Sequence, residues 1–423
     1  GYYSVYLEDS QIKVGLTATQ RTGFQKYNYE GAGEASVVLD LGFAINWDAP
    51  TETAINIENE TTISGYRHST GWAKNQKVFF VAEFSKPIAR HILVQDKKVI
   101  EADSVAGKIT AAQFFFNIDG SRDVSVKVSV SSVSVANAKA NFAEAADTDF
   151  ETAKAEAKKT WEKQLEHIVV ETPTDSLKTI FYSALYHTQI APVTFGDVNG
   201  EFRLENDSIA KADFTAYSTL SLWDTFRAEN PLLTLLEPEK VSDMVNSMLE
   251  IYDQNEWLPK WELNATETFT MVGDPAAVVL ADTYLRGITD FDIEKAYTAM
   301  LKSADAREEN PLRPGIAEYI DKGYVSVDSG ISGPVSTTQE YNIADYNIAL
   351  LAEELGKKED AKRFMKRALS YKKLFNKESG FLQPKMADGS WYEPFDPLAG
   401  ANFTENPGFI EGNAWQYLFM QPH

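Results

Sequence analysis

The sequence predicts an antiparallel β-sandwich followed by a helical linker and a mostly helical domain, read as an α/α barrel. Two observations carry the prediction. In the first third, apolar residues recur with a period of two, and beyond about Ala136 they recur with the helical period of 3.6. Charge then narrows the function classes: 40 Lys+Arg against 62 Asp+Glu give a net charge of −22 at pH 7. Such a chain is not drawn to nucleic acid or to an anionic membrane surface, so neither is expected as a partner. At about 150 residues per domain, 423 residues are enough for two or three domains, each with a core of its own.

The β region rests on short alternating runs. Val124, Val126, Val128 and Val130 alternate with Ser125, Lys127 and Ser129, and the pattern resumes at Val133 and Val135. Similar runs lie at residues 3–7, 14–19, 37–41 and 78–84, separated by Gly, Asn, Asp and Pro turns. Short strands with no helical pattern between them indicate an antiparallel sandwich, placed at residues 1–135. Asn117-Ile118-Asp119-Gly120 is too short for an EF-hand and is expected to form a hairpin turn.

Residues 136–174 read as a helical linker, rich in Ala, Lys and Glu with Phe142, Phe150 and Trp161 as sparse anchors. Thr172-Pro173-Thr174-Asp175 supplies a break and an N-cap. Residues 175–423 form the third domain, where Ile180, Phe181, Ala184, Leu185 and Thr188, and then Val241, Met244, Val245, Met248 and Ile251, mark buried helix faces. Gly287 reads as the C-cap of a helix over residues 276–286. Gly356-Lys357-Lys358-Glu359 reads as the turn of a helical hairpin. Repeated hairpins fit a bundle, a solenoid or an α/α barrel, and the long aromatic segments 197–213 and 381–405 favour a barrel with a lipped active site.

No apolar run approaches the ~18 residues needed to span a bilayer, and Gly1-Tyr2-Tyr3-Ser4 is not a signal start, so a targeting segment is not expected within the chain. With no cysteine there is no thiolate chemistry, disulfide or Cys-bound zinc. His68, His91, His167, His187 and His423 show no ligand spacing, and Walker, GxGxxG and GxSxG motifs are absent.

Two strings carry possible chemistry. Ser221-Leu222-Trp223-Asp224-Thr225-Phe226-Arg227 sets an indole, a carboxylate and a guanidinium within two turns. That is either an Asp224–Arg227 ion pair with Trp223 as packing, or a sugar subsite with a stacking face and planar partners for vicinal hydroxyls. In Phe409-Ile410-Glu411-Gly412-Asn413-Ala414-Trp415-Gln416-Tyr417, Glu411 is either a helix-start carboxylate or a general acid whose pKa is raised by apolar neighbours. Glu262, Glu267, Asp274, Glu340 and Asp345 are further carboxylates, to be weighed against solvated acidic loops.

The Trp-Asp-Thr-Phe-Arg string, Trp261-Glu262-Leu263 through Met271-Val272-Gly273-Asp274, Ala281-Asp282-Thr283-Tyr284-Leu285-Arg286-Gly287, Asp388-Gly389-Ser390-Trp391-Tyr392-Glu393-Pro394-Phe395-Asp396 and the Glu411 string occur in the order found in α-mannosidases of glycoside hydrolase family 92, which the chain resembles throughout. The resemblance implies a sandwich, linker and (α/α)6 barrel, and an exo-acting, inverting, calcium-dependent α-mannosidase releasing terminal mannose from glycans, most often α-1,2-linked. It implies export to the periplasm or surface of a bacterium. It maps the general acid onto Glu411 and the terminal mannose near Trp223, Asp224 and Arg227. Departures are Pro275, where a His is usual, and Ala344-Asp345, where two acids are usual. The family's paired aspartates, its general base, are expected beyond His423, which makes the barrel incomplete; no calcium ligand is assigned. A non-catalytic glycan-binding protein and an α/α-barrel glycosidase acting on α-glucosides are the alternatives.

Overall fold

The computed structural model describes residues 1–31, 33–400 and 408–420. Residues 401–407 of the second aromatic segment and His423 therefore lie outside the described residues. The chain forms two compact units, one of Gly1–Ser218 with Leu263–Thr266 and one of Thr219–Glu262 with Glu267–His423.

The first unit begins with two antiparallel sheets. One has eight strands, in the spatial order Tyr2–Leu7, Ile12–Ala18, Thr22–Tyr29, Asp123–Ser131, Gln76–Phe84, Thr62–Thr70, Ala49–Ile57 and Ser104–Gly107. The other has four: Ala35–Asp40, Thr110–Phe116, Ile88–Gln95 and Lys98–Ile100. Their inner faces share one core, in which the Phe84 ring lies 5.3 Å from Phe114 and 5.0 Å from Phe116. Val124 and Val126 point into it as the alternation requires.

The alternation fails at the end of that strand, where Val130 is exposed and Ser129 and Ser131 are buried. Helix α1 (Val135–Glu144) packs over this polar face, with Asn141 Nδ2 donating to the Val130 carbonyl at 2.9 Å and Ser129 Oγ 2.6 Å from Thr22 Oγ1. Val135 is thus the first residue of a helix capped by Ser134, not a strand residue. Asn117 to Gly120 is also corrected, because it links a strand of one sheet to a strand of the other and is no hairpin turn.

Helix α2 (Phe150–Leu165) starts on an Asp149 cap and α3 (Asp175–His187) on a Thr174 cap, each side chain accepting from the amide three residues on. The stripe expected on α3 is buried only at Leu185, and Ile180 is 62% exposed. Residues 197–213 are not one open loop. Asp197 accepts from Asn141, Asn137 and Ser131 at 2.6, 2.9 and 2.6 Å, and a hairpin follows, pairing Glu201–Arg203 with Ile209–Lys211.

The second unit is helical: α4 (Leu222–Thr225), α5 (Glu229–Leu236), α6 (Pro238–Asn255), α7 (Pro275–Leu285), α8 (Ile293–Asp305), α9 (Ile316–Lys322), α10 (Pro334–Glu354), α11 (Lys358–Ala368) and α12 (Ala414–Tyr417). Val241, Met244, Val245 and Met248 bury the predicted face of α6, and Gly287 closes α7 with φ 87°. Helices α7 and α10 pack together, and α10 returns through Gly356 onto α11. An antiparallel β domain followed by helical hairpins is the class the two periodicities predict. Among the described residues no helix is long and apolar enough to cross a membrane.

Arg313 is fully buried between two fully buried carboxylates. Its Nε donates to Asp274 at 2.8 Å and its Nη1 to Asp345 at 2.7 Å. Asp345 also accepts from Tyr319 and Arg367, both at 2.8 Å. Burial opposes the charge on Arg313, but Asp274 and Asp345 outweigh it and hold the guanidinium above its ordinary pKa. Asp345→Ala leaves Arg313 with Asp274 alone and Arg367 with the half-exposed Asp305 alone, and is expected to cost the helical unit about 3–5 kcal/mol. A calorimetric scan should show its transition shifted down while that of the β unit stays in place.

Candidate active site

The site is assembled from loops, and each loop is fixed by a buried carboxylate. Leu220 and Ser221 pair with Glu262 and Trp261, and the Lys260 carbonyl accepts from the Leu222 amide at 3.1 Å. Glu262 accepts from the Thr219 amide at 3.0 Å. Glu267 accepts from the amides of Lys260, Trp261 and Phe269 at 2.7, 3.1 and 2.6 Å. Burial raises the Glu267 carboxyl while these three amides pull it back. Glu262, Glu267 and Asp274 are therefore scaffold groups and not the solvated loop carboxylates that their acidic surroundings suggest.

On this base stands α4. Asp224 is exposed and accepts from the Trp261 indole N–H at 3.2 Å. Burial of its surroundings raises its carboxyl, opposed by Trp261 and Arg227. Arg227 does not pair with Asp224 as an i, i+3 helix neighbour would. Its Nη2 donates to Glu340 at 2.7 Å, a carboxylate on α10 that is only 2% exposed. The guanidinium lies 4.7 Å above the Trp223 ring and 4.6 Å from Phe226. Trp223 is buried beneath it, so the indole has little open face left for stacking and instead carries Arg227.

Glu411 stands at a different edge. Ile410 donates its amide to Ser336 Oγ at 2.9 Å, and its carbonyl accepts from the Tyr417 hydroxyl at 2.6 Å. Phe409 and Ile410 are buried, whereas Glu411 takes the left-handed conformation (φ 46°) and is exposed. Its carboxylate is thus directed away from the apolar neighbours that the sequence places beside it. Nor does it cap a helix, because the cap of α12 is Asn413, completed as a capping box by Gln416. Gln339 ties α10 to the Tyr417 carbonyl at 2.8 Å. Burial pushes the Tyr417 hydroxyl up to about 12, and Glu340, Arg227 and Glu411 all act on it electrostatically. The segment that carries Glu411 is thus tied to α10, the helix on which Glu340 lies.

A β unit followed by a helical unit, with the Trp223–Arg227 turn and an outturned Glu411 in the second, can now be compared with known proteins. The profile of the Glycosyl hydrolase family 92 catalytic domain matches residues 137–423, and that of the family's N-terminal domain matches residues 1–131. The chain belongs to glycosyl hydrolase family 92. A family 92 α-mannosidase from Bacteroides thetaiotaomicron, solved in complex with mannoimidazole, is 33% identical with a TM-score of 0.94, over 100% of this chain and 56% of that one. The family 92 inverting mannosidase from Bacteroides thetaiotaomicron VPI-5482 is 27% identical with a TM-score of 0.91, over 99% of this chain and 56% of that one. An uncharacterized secreted glycosidase of Arthroderma benhamiae is 25% identical over 100% of this chain and 57% of its own length. The chain thus spans a little over half the length of these relatives.

The calcium implied by the family resemblance needs six to eight oxygen ligands. Among the described residues no three His, Asp or Glu side chains converge as a cation site. No ligand is therefore assigned among the described residues, and no step is derived through the ion. Two further groups escape a reading by motifs. Lys260 is buried among carboxylates, and Glu229, at the start of α5, follows Asp224 by five residues across two short helices. Burial, with the Asp224 charge beside it, raises the Glu229 carboxyl to about 7. The only sequence signal for it is that spacing.

A raised folded-state pKa makes Glu229 favour folding at low pH. Its contribution is complete below its unfolded value near 4.5 and is lost as pH rises through about 7. Glu229→Gln is expected to melt with the parent at pH 4 and above it at pH 8, as a paired pH series of thermal melts would show.

Proposed function

We propose that the protein is an exo-acting, inverting α-mannosidase that removes terminal mannose from exported or environmental glycans, α-1,2-linked ones foremost, with Glu411 as general acid. The observation that carries the reading is that the Glu411 segment docks on α10, the helix that carries Glu340, through Ile410 to Ser336 at 2.9 Å and Gln339 to the Tyr417 carbonyl at 2.8 Å, in a chain that belongs to family 92. An acid must reach the glycosidic oxygen, and the outturned, exposed Glu411 is free to do so. Arg227 offers donors, and Asp224 offers acceptors, to neighbouring sugar hydroxyls. Trp223 contributes through Arg227, which it supports from below.

Inversion needs a base ~6.5–9.5 Å from the acid on the other face of the ring. Asp345 is committed to Arg313 and Glu340 to Arg227, so neither is assigned that part, and the base is proposed to come from outside the described residues. Calcium dependence belongs to the proposal in the same way, with no ligand assigned. Action outside the cytoplasm, in the periplasm or at the cell surface, is supported by the relative described as secreted.

If Glu411 is the acid, Glu411→Gln removes the proton that the leaving oxygen needs. Turnover of an alkyl or sugar mannoside is expected to fall on the order of 10²–10⁴-fold. An aryl mannoside with a good phenolate leaving group should keep much of its rate, and binding should persist. Equal losses on both substrates, or weaker binding alone, would show Glu411 to be a subsite residue.

A further inference from the structure

The partly exposed cation of the site is held from behind by groups that never reach solvent. Arg227 donates to Glu340 at 2.7 Å, and Glu340 is 2% exposed. The Glu340 side chain fits because residue 273 is glycine. A Cβ there would lie 2.6 Å from Glu340 Cβ and 3.3 Å from its Oε2, and the backbone has φ 92°. Lys260, 1% exposed, is the second cation acting on Glu340, and the carboxylates of Glu267 and Asp274 and the guanidinium of Arg313 also act on it. Its own carbonyl holds the first amide of α4, the helix after which Arg227 follows. The indole nitrogen of Trp223 lies near enough to influence Glu340 but makes no hydrogen bond of normal geometry.

We propose that Glu340 is a positioning residue that sets the pose of Arg227 toward a sugar hydroxyl, with Gly273 as the gap that admits it and the buried Lys260 as a supporting cation. The functional half of this statement rests on the mannoside reading above; the positioning half stands on the geometry alone. A guanidinium free to rotate on its long side chain must lose that freedom when it binds a hydroxyl, whereas one already fixed by a carboxylate has lost it beforehand. A neutral Glu340 would accept a weaker hydrogen bond and leave Arg227 mobile. Burial raises the Glu340 carboxyl, and Arg227 and Lys260 oppose that rise. Burial likewise draws the Lys260 ammonium down to about 8, against the pull of Glu267, Asp274 and Glu340.

The test uses the full chain with ¹⁵N-labelled arginine, comparing the parent with Glu340→Gln and Lys260→Met, and reads two quantities: the Nε–H resonance of Arg227, assigned by its loss in Arg227→Gln, and the affinity for methyl α-mannoside. In the parent the resonance should be sharp and protected from exchange. In both variants it should broaden or disappear while the melting profile is kept, and affinity should fall about tenfold, as for loss of one charge-assisted hydrogen bond. An unchanged Arg227 resonance in both folded variants overturns the inference. If the resonance responds as stated but even the parent binds no mannoside, the positioning role stands and the mannoside reading fails. Should the variants not fold, the parent decides: a Glu340 ¹³C-carboxyl signal of the ionised form at pH 7 supports the inference, and one of the protonated form overturns it.

Discussion

The helical unit depends on one guanidinium that has no access to water. Arg313 needs two carboxylates in the plane of its fork, and it takes one from Asp274, at the start of α7, and one from Asp345, in the middle of α10. Removing Arg313 leaves two buried carboxylates without their shared cation, and removing either aspartate leaves one arm of the fork unmatched, so the sequence has little freedom in how these two helices meet. The chain of charge continues from Asp345 to Arg367 and on to the half-exposed Asp305, which ties α11 and the end of α8 to the same centre. The site inherits that order. Gly273 immediately precedes Asp274, and Glu340 lies five residues before Asp345, so fixing the two aspartates on Arg313 brings Gly273 against Glu340. Arg227 is then oriented by a group whose own place is set on the far side of the helices.

The same division of labour appears in the loop that faces the site. Phe269 and Met271 hold left-handed backbone (φ 48° and 69°), which is unfavourable for residues with a Cβ. The surroundings that impose it include the Glu267 carboxylate, which takes the amide protons of Lys260 and Trp261, at the start of a short strand, and of Phe269. A charged acceptor makes stronger bonds than a neutral carbonyl, and it is best placed where several amides converge. Glu411 shows a related strain, with Phe409 and Ile410 drawn inward, Gly412 packed tightly on Tyr417, and the φ of 46° between them turning the carboxylate outward.

Local periodicity is what the sequence makes legible. The valines at 124 and 126, the apolar face of α6, the caps at Thr174 and Gly287 and the change from β to α are all properties of short windows, and the structure has them. What a window does not contain is the partner. By spacing the partner of Arg227 is Asp224 three residues away, but its acceptor is 113 residues distant, and no spacing rule reaches that far. Ser129 and Ser131 read as outward-facing because nothing in their strand announces that α1 will cover them. Trp223 reads as an open stacking face because composition does not reveal that a cation will lie over it. The motif residues Trp223, Asp224, Arg227 and Glu411 could be named from sequence, whereas Lys260, Glu229 and the supporting part of Glu340 needed the fold.

The balance of charge then bears on what the site can receive. With a net charge of −22 the surface field repels anions, and within a Debye length of ~8–10 Å an anionic ligand approaches at a cost. Inside the site the cations are already matched: Arg227 faces Glu340, and Lys260 sits among three carboxylates. Little positive charge is left over to attract a phosphate or a carboxylate. What remains on offer is a set of fixed donors and acceptors, the outer guanidinium N–H groups of Arg227, the Asp224 carboxylate and the exposed Glu411, in a frame that hardly needs to reorganise. A neutral polyhydroxylated ligand loses nothing to the surface field and can satisfy both donors and acceptors at once, which supports the proposed sugar ligand over a nucleotide or an acid.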